Sequence, residues 1–367
     1  MTLKEQLFSI ETITYFTNTL KSVYLPLDEE RFISRVLFDI KDKELKERGT
    51  VITLLLKEVL PSDFIEATSI LKEFAKIAKP NMFVHMGVLE YVEFYGCNDQ
   101  YVDHSLELIE EFTKLFTGEF VIRRFINQYE DKTFEAFMEW SNSSNEDVRR
   151  LSSEGIRPKL PWAVKVNIDY LKGAKPLDNL YFDDSRYVTR SVANHLNDIS
   201  KVDPLFVLNK LKEWKKSNKQ NDKEMEYIIN HSVRTLVKKG HKETLELLGF
   251  DSVIDVEVSK ISFVNSEIMI GDSLEFSFNL NSNRDDKFVI DYVITYPTLT
   301  KKAPRKVYKL KTMSVKKNII VEIKSKRAFK EISTRKMREG IHKIEIVING
   351  NIVSANEFSL KTKSKSH

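Results

Sequence analysis

The sequence has almost no cysteine, no long apolar run and little that resembles an export signal. A single cysteine, Cys97, among 367 residues excludes an intramolecular disulfide and a cysteine-rich zinc site. No stretch of about eighteen apolar residues occurs, which excludes a transmembrane helix. The N-terminus bears acidic residues early and lacks a small-residue cleavage site, unlike a signal peptide. These absences predict a cytoplasmic protein with no membrane partner.

The common motifs of catalytic and cofactor sites are also missing. The chain contains no GxGxxG, P-loop, HExxH or GxSxG pattern. Its seven histidines are not spaced as metal ligands. We therefore expect no metal, no nucleotide and no other cofactor.

Charge is distributed unevenly along the chain. The formal net charge is +4. Residues 258–367 contain 22 Lys and Arg against 11 Asp and Glu, a net charge of +11, which leaves −7 on residues 1–257. A basic C-terminal region indicates a polyanionic partner. A basic solvated surface with a disordered tail at residues 362–367 explains the charge equally well.

The first ~250 residues show apolar side chains at three- and four-residue spacing, which is typical of successive amphipathic helices. Short breaks at proline and glycine predict antiparallel neighbours. Similar segments begin at Val148, Val188 and Val233, 40 and then 45 residues apart. This spacing lies within the period of about 40–47 residues of HEAT-type helix pairs. We predict a mainly α fold, with a helical-repeat α-solenoid over residues 1–252.

Near Gly249 the hydrophobic period changes to strict alternation. About seven short strands follow, several of them separated by Asn-Gly or Gly-Asp turns. This pattern predicts an immunoglobulin-like β-sandwich over residues 257–361, here without a cysteine pair.

The helical region contains three carboxylates flanked by cations or amides. They are Glu119 with Arg123, Glu154 with Arg150 and Arg157, and Asp198 with Asn194, Asn197 and Lys201, with Arg190 on the same helical face as the last group. Taken singly, each is more often a helix ion pair worth a few tenths of a kcal/mol. Trp162 is either a core aromatic or an exposed stacking plane, and for a lone tryptophan the residues alone favour the core.

Four blocks resemble, in order, a known family. EFVIRRF, VRRLSSEGIRPKLPWA, SVANHLNDISKVDP and KETLELLGF are similar to the AlkC branch of the HEAT-like alkylpurine DNA glycosylases, and the similarity covers essentially the whole chain. Val121 and Arg124 stand where the family tends to have Ala and Pro. The resemblance implies a monomeric enzyme that hydrolyses the N-glycosidic bond of cationic N3-alkylated bases, chiefly 3-methyladenine, in double-stranded DNA.

The resemblance also implies residue roles. Glu154 is the first candidate for the essential carboxylate, followed by Asp198 and Glu119, and Trp162 would pack against the lesion or its sugar. The residues expected to contact DNA are Arg123, Arg149, Arg150, Arg157, Lys159, Arg190, Asn194, Asn197 and Lys201 in the helical domain, and Lys301, Lys302, Arg305, Arg335 and Lys336 in the sandwich. A non-enzymatic helical-repeat scaffold that binds DNA or a protein is the alternative. It explains both domains but not three carboxylates set among cations.

Overall fold

In a computed structural model, which describes residues 2–298, 303–330 and 337–362, the chain is helical up to residue 247 and strand-rich from residue 256. The predicted fold class, a mainly helical region followed by a β-sandwich, is confirmed. No helix in these ranges is long and apolar enough to cross a membrane.

Helices α1 to α9 form the first part of the chain. Their bounds are α1 Leu3–Leu7, α2 Ile10–Val23, α3 Glu29–Asp39, α4 Leu45–Val59, α5 Phe64–Ile77, α6 Met86–Gly96, α7 Val102–Thr113, α8 Ile122–Gln128 and α9 Glu130–Trp140, with a 3₁₀ turn at Phe83–His85. Polar side chains cap several N-termini; Ser9, Asp28 and Asp63, for example, each accept a hydrogen bond from the backbone N–H three residues later. Apolar faces of these helices form one continuous core.

Eight further helices follow in the chain and lead into the strands. They are α10 Glu146–Glu154, α11 Tyr170–Gly173, α12 Leu177–Leu180, α13 Arg186–Ile199, α14 Pro204–Ser217, α15 Asp222–Ser232, α16 Arg234–Lys238 and α17 Lys242–Leu247. Helix α10 packs against α13, and α13 packs against α15.

Hydrogen bonds between these three helices repeat at a nearly constant sequence offset. Ser191 donates to Ser153, 38 residues away, at 3.0 Å. Arg186 donates to Glu224, again 38 residues away. The offset is that of stacked helix pairs and agrees with the predicted repeat. The third similar segment was misplaced, because it begins at Val233 and lies in α16, whereas the helix that packs on α13 is α15.

A segment without regular secondary structure follows the helix that carries Arg149, Arg150 and Glu154. Helix α10 ends at Glu154, and residues 155–169, which we call the irregular segment, contain neither helix nor strand. Pro158 and Pro161 explain the end of the helix, because proline has no backbone donor and disfavours helical geometry in the residue before it.

The chain divides into two compact units between Ser232 and Val233, earlier than the change of hydrophobic period near residue 252. Helices α16 and α17 therefore group with the strands. Leu245 of α17 packs with Phe250 and Val289 in a small apolar cluster. Gly240 and Gly350 both have positive φ, and a Cβ on Gly240 would lie 2.6 Å from the Cα of Gly350, so this close approach of two turns requires glycine.

Nine strands occur in the described residues of the second unit: β1 Val256–Val258, β2 Ser262–Phe263, β3 Glu267–Met269, β4 Ser273–Ser282, β5 Asp286–Thr295, β6 Arg305–Val315, β7 Val321–Ala328, β8 Gly340–Ile348 and β9 Asn351–Lys361. The stretch VEVSKISF, residues 256–263, is divided between the two strands β1 and β2, and β3 has only three residues. Two or three residues are too few to show alternation.

The strands form two sheets with a shared apolar core. In one sheet β4 pairs with β1, β2 and β7, and the other has the order β3-β9-β8-β5-β6. All pairs are antiparallel except β3 with β9. Alternate residues of β4, from Leu274 to Leu280, point into a core that also contains Phe288 and Ile346 of the other sheet. This alternation confirms the sandwich.

Candidate active site

Two buried carboxylates from successive repeats share one arginine. Glu154 is the last residue of α10, and Asp198 lies in the last turn of α13. Arg157, just beyond α10, pairs through Nη1 with Oε1 of Glu154, and its Nη2 lies 2.9 Å from Oδ2 of Asp198. All three side chains are at most a tenth exposed. The 41-residue offset between Arg157 and Asp198 matches the repeat that stacks α10 on α13.

The same pattern extends in both directions. Nη2 of Arg150 lies 2.8 Å from Oε2 of Glu119 and 3.9 Å from Oε2 of Glu154. Nζ of Lys201 lies 2.8 Å from Oδ1 of Asp198. Six side chains thus alternate in charge, and we call them the charge chain: Glu119, Arg150, Glu154, Arg157, Asp198 and Lys201.

Hydroxyl groups donate further hydrogen bonds to the carboxylates. Ser191 donates to Oε2 of Glu154 at 2.6 Å, so both oxygens of that carboxylate have partners. Thr117 donates to Oε2 of Glu119 at 3.0 Å. The Glu119 side chain is 13% exposed, against 7% for Glu154 and 3% for Asp198. Glu119 is therefore the most accessible of the three carboxylates and lies at the end of the charge chain.

A cavity of about 150 Å³ lies beside Glu119 and Arg150. The guanidinium of Arg150 stacks on the ring of Tyr187, 4.6 Å from its centroid, and Tyr187 lines the same cavity. The remaining lining residues are Asn81, Thr113, Phe116, Thr117 and Asp147. The cavity gives water a route to Glu119.

The carboxylates also keep the arginines charged. Burial acts to lower the pKa of Arg150, but the carboxylates of Glu119 and Glu154 outweigh it, so this pKa lies above its usual value. Burial also acts to lower the pKa of Arg157, but the carboxylates of Glu154 and Asp198 outweigh it, so this pKa too lies above its usual value. Alternating charges in a buried site therefore stabilise one another.

Trp162 is the most exposed aromatic residue near the charge chain. Its side chain is 77% exposed, so the interpretation as a core residue was wrong. Its backbone has φ +63°, a left-handed conformation that non-glycine residues rarely adopt. Nζ of Lys46 donates to its carbonyl oxygen at 3.0 Å. The irregular segment thus presents an indole plane to solvent at a cost in backbone strain.

Comparison with known proteins shows a relative over the full length of the chain. Residues 257–362 match the model of the C-terminal Ig-like domain of the uncharacterised protein YhaZ. The chain is 34% identical over 362 residues to YhaZ of Bacillus subtilis strain 168, a match that covers 97% of this chain and 99% of that protein. A solved structure of Pseudomonas fluorescens alkylpurine DNA glycosylase AlkC, bound to DNA containing an abasic site analog, aligns with a TM-score of 0.91 and 30% identity. The alignment covers 98% of this chain and 100% of that one.

The chain belongs to the AlkC family. The family resemblance of the four sequence blocks is confirmed, and it includes the C-terminal Ig-like domain. Within this AlkC-family fold, the structure brings together Glu119, Glu154 and Asp198.

Four of the arginines expected at phosphates are instead paired inside the protein. Arg123 is 1% exposed and donates to the carbonyls of Gly155 and Arg157, both at 2.9 Å, so it faces the interior. Arg149 forms a two-point ion pair with Asp183 and donates to two carbonyls, which occupies its guanidinium. Arg150 and Arg157 are held by carboxylates in the charge chain. The burial of Arg123 corrects the expectation that it contacts a phosphate, whereas contact of Arg149, Arg150 and Arg157 with DNA stays a prediction.

Of the two asparagines of α13, Asn197 is buried and Asn194 is half-buried. Asn197 is 3% exposed. The side-chain oxygen of Asn194 lies 2.9 Å from Nε2 of His231 on α15. The sequence pattern assumed that α13 has one open face, but α10 and α15 cover it from two sides. Asn197 is therefore too buried for the predicted contact with DNA, whereas contact of Asn194 with DNA stays a prediction.

Other expected DNA contacts lie at the surface or outside the described residues. Lys159 and Arg190 are exposed. Arg305 begins β6, pairs with Glu345 at 2.5 Å and is about half exposed. The other four sandwich residues that were expected to contact DNA lie outside the described ranges: Lys301, Lys302, Arg335 and Lys336.

Several residues that hold the site in place from other elements were not predicted from the sequence. Ser191, Thr117, Tyr187 and Lys46 contact the charge chain or Trp162 from other elements. The repeat offset is a signal that could have found Ser191, because it lies 37 residues after Glu154. Within the described ranges, no group of three or more His, Cys, Asp or Glu residues is arranged to hold a metal ion.

Proposed function

We propose that this chain is a monofunctional DNA glycosylase that removes cationic N3-alkylated bases, chiefly 3-methyladenine, from duplex DNA in base excision repair. The observation that supports it most is the charge chain, which places three carboxylates within one cluster in a full-length relative of an alkylpurine DNA glycosylase. The structure of Pseudomonas fluorescens AlkC contains DNA with an abasic site analog, the type of product that base removal leaves.

The chemistry of an alkylated base suits a site of this kind. The base is already a cation and leaves without a general acid. Positive charge then develops on the deoxyribose, and nearby carboxylates stabilise it. A carboxylate can also orient or deprotonate the attacking water. The reaction parallels glycoside hydrolysis with the leaving-group acid removed.

The geometry suggests a division of work among the three acids. Both oxygens of Glu154 are engaged by Arg157 and Ser191, so its position is fixed and its charge is available to the sugar. Glu119, the most exposed of the three carboxylates, lines the cavity and suits contact with water. Asp198, held between Arg157 and Lys201, adds negative charge. Trp162 supplies an exposed plane for the lesion or its sugar.

We further propose that the protein acts as a monomer in the cytoplasm, without a metal. Lys159, Arg190 and Arg305 would contact phosphates, which fixes register without reading sequence. The basic sandwich would add further contacts of the same kind.

The test is release of free base from methylated duplex DNA in the presence of EDTA. Wild type is compared with Glu154→Gln and Asp198→Asn. We expect metal-independent release of 3-methyladenine, reduced on the order of 10²–10³-fold in Glu154→Gln, with duplex binding and folding nearly intact. A folded, DNA-binding wild type that releases no base would favour the non-enzymatic scaffold instead.

A further inference from the structure

We propose that Arg123 is a positioning residue that holds the charge chain and Trp162 in one geometry; this inference rests on the proposed glycosylase function. Arg123 lies in α8, and Nη1 donates to the carbonyls of Gly155 and Arg157. Nε donates to the carbonyl of Val164 at 2.5 Å. One guanidinium therefore joins the backbone beside the carboxylates to the backbone beside Trp162.

The irregular segment depends on such donors because it has few partners of its own. Buried or constrained carbonyls need hydrogen bonds, and helix or strand neighbours usually provide them. Here side chains from α4 and α8 do so. Lys46 binds the carbonyl of Trp162, and Asn127 donates to the carbonyl of Lys165 at 2.9 Å while accepting from the N–H of Asn167. Arg123 is the innermost of the three anchors.

The buried charge of Arg123 adds to its effect on geometry. Burial and the like charge of Arg157 lower the pKa of Arg123 to about 10, so it remains a cation at neutral pH. The interactions that favour its charge come from Asp198, Glu119 and Glu154. Arg123 is thus a buried cation beside the charge chain, and it forms no ion pair with these carboxylates.

The three hydrogen bonds of Arg123 depend on the planar guanidinium of arginine. Lysine keeps the charge but is a point donor on a flexible stem and cannot reproduce the three bonds at fixed angles. With Val164 released, the left-handed backbone of Trp162 is free to relax, and the carbonyl of Arg157 loses its restraint. A shift of about 1 Å in a catalytic group can reduce the rate on the order of 10²-fold.

The variant to make is Arg123→Lys, with Arg48→Lys as the matched control. Arg48 is also buried and also donates to backbone carbonyls, those of Lys43 and Lys4, but it does not contact the site. With saturating enzyme, we expect Arg123→Lys to release 3-methyladenine about 10- to 100-fold more slowly. Its duplex Kd should stay within about threefold of wild type, because Arg123 does not reach solvent. Folded Arg48→Lys should retain the wild-type rate.

Tryptophan emission gives an independent measure of position. Trp140 and Trp214 are each 3% exposed, whereas Trp162 is open to solvent, so collisional quenching by acrylamide selects Trp162. Trp162→Phe identifies its share of the signal. We expect lower anisotropy of the Trp162 emission in Arg123→Lys and no change in Arg48→Lys.

The outcomes separate the positioning role from the enzyme function. An Arg123→Lys protein with wild-type rate and wild-type anisotropy overturns the proposal. If that variant does not fold, Lys46→Met and Asn127→Ala test the outer anchors; each should reduce anisotropy, and unchanged anisotropy in both overturns the role. A wild type that releases no base refutes the glycosylase, while the anisotropy comparison still decides whether Arg123 positions Trp162.

Discussion

Replacing Arg157 with glutamine removes the central cation of the charge chain. Glu154 and Asp198 would then be buried carboxylates without their shared partner, and their side chains are only 7% and 3% exposed, so solvent screens them little. Loss of one member of a buried ion pair costs about 3–5 kcal/mol. In a compact unit of this size, ending at Ser232, each kcal/mol lowers Tm by about 2–4 °C, which predicts a fall of about 6–20 °C.

The assay is thermal unfolding of wild type and Arg157→Gln at pH 7.5 and pH 5.5. The folded variant should bind protons more tightly than its unfolded chain, because neutralising either carboxylate relieves the buried negative charge. The difference in Tm between the variant and wild type should therefore become smaller as the pH falls. The double variant Arg157→Gln, Asp198→Asn should regain part of the lost Tm at pH 7.5.

Lys132→Gln is the matched control for this experiment. Lys132 pairs with Asp103 between two helices at 2.6 Å, but both side chains are largely exposed, so its loss should change Tm little. The reasoning fails if Arg157→Gln is no less stable than Lys132→Gln, or if its deficit is the same at both pH values.

Two further predictions concern surface charge and a buried histidine. Lys159→Gln and Arg190→Gln should each reduce the slope of log K against log salt concentration by about 0.9 for duplex DNA, measured by fluorescence anisotropy, while base release at saturating enzyme stays unchanged; an unchanged slope would exclude the residue from phosphate contact. Burial lowers the pKa of His85 to about 4, and neither ring nitrogen has a partner within the described part of the chain. Because the unfolded chain binds more protons between pH 4 and about 6.5, His85 removes stability as the pH falls through that window. In urea unfolding, the free energy of unfolding should fall less between pH 7 and pH 4 in His85→Leu than in wild type, by roughly 3 kcal/mol. An equal fall in both proteins would contradict the lowered pKa of His85.

The secondary structure was largely predictable because the helices of the first unit and the strands of the second each have one clear hydrophobic period. Three-residue spacing identifies the helices, and alternation identifies the longer strands. The convergence of Glu154 and Asp198 was also within reach, since the repeat offset places residues about 40 positions apart on facing helices. Very short strands such as β3 leave no periodic signal.

The roles of the arginines were not predictable from spacing. A cation on a helix is ordinarily placed at the surface, but Arg123 turns inward because the irregular segment presents unpaired carbonyls to it. Those carbonyls lie 32–41 residues away in sequence. The exposure of Trp162 likewise depends on a contact from Lys46, 116 residues distant. Sequence patterns within a helix hold no information on such partners.

The alternation of the charge chain has a consequence for how the protein finds DNA. Three carboxylates and three cations cancel, so beyond about one Debye length, ~8 Å at physiological salt, the charge chain has no net charge of its own. A polyanion is then neither attracted nor repelled by these six side chains until it is nearly in contact with them. Diffusional capture must depend on the exposed cations elsewhere, and the rate of encounter and the rate of bond breaking can be altered by separate sets of substitutions.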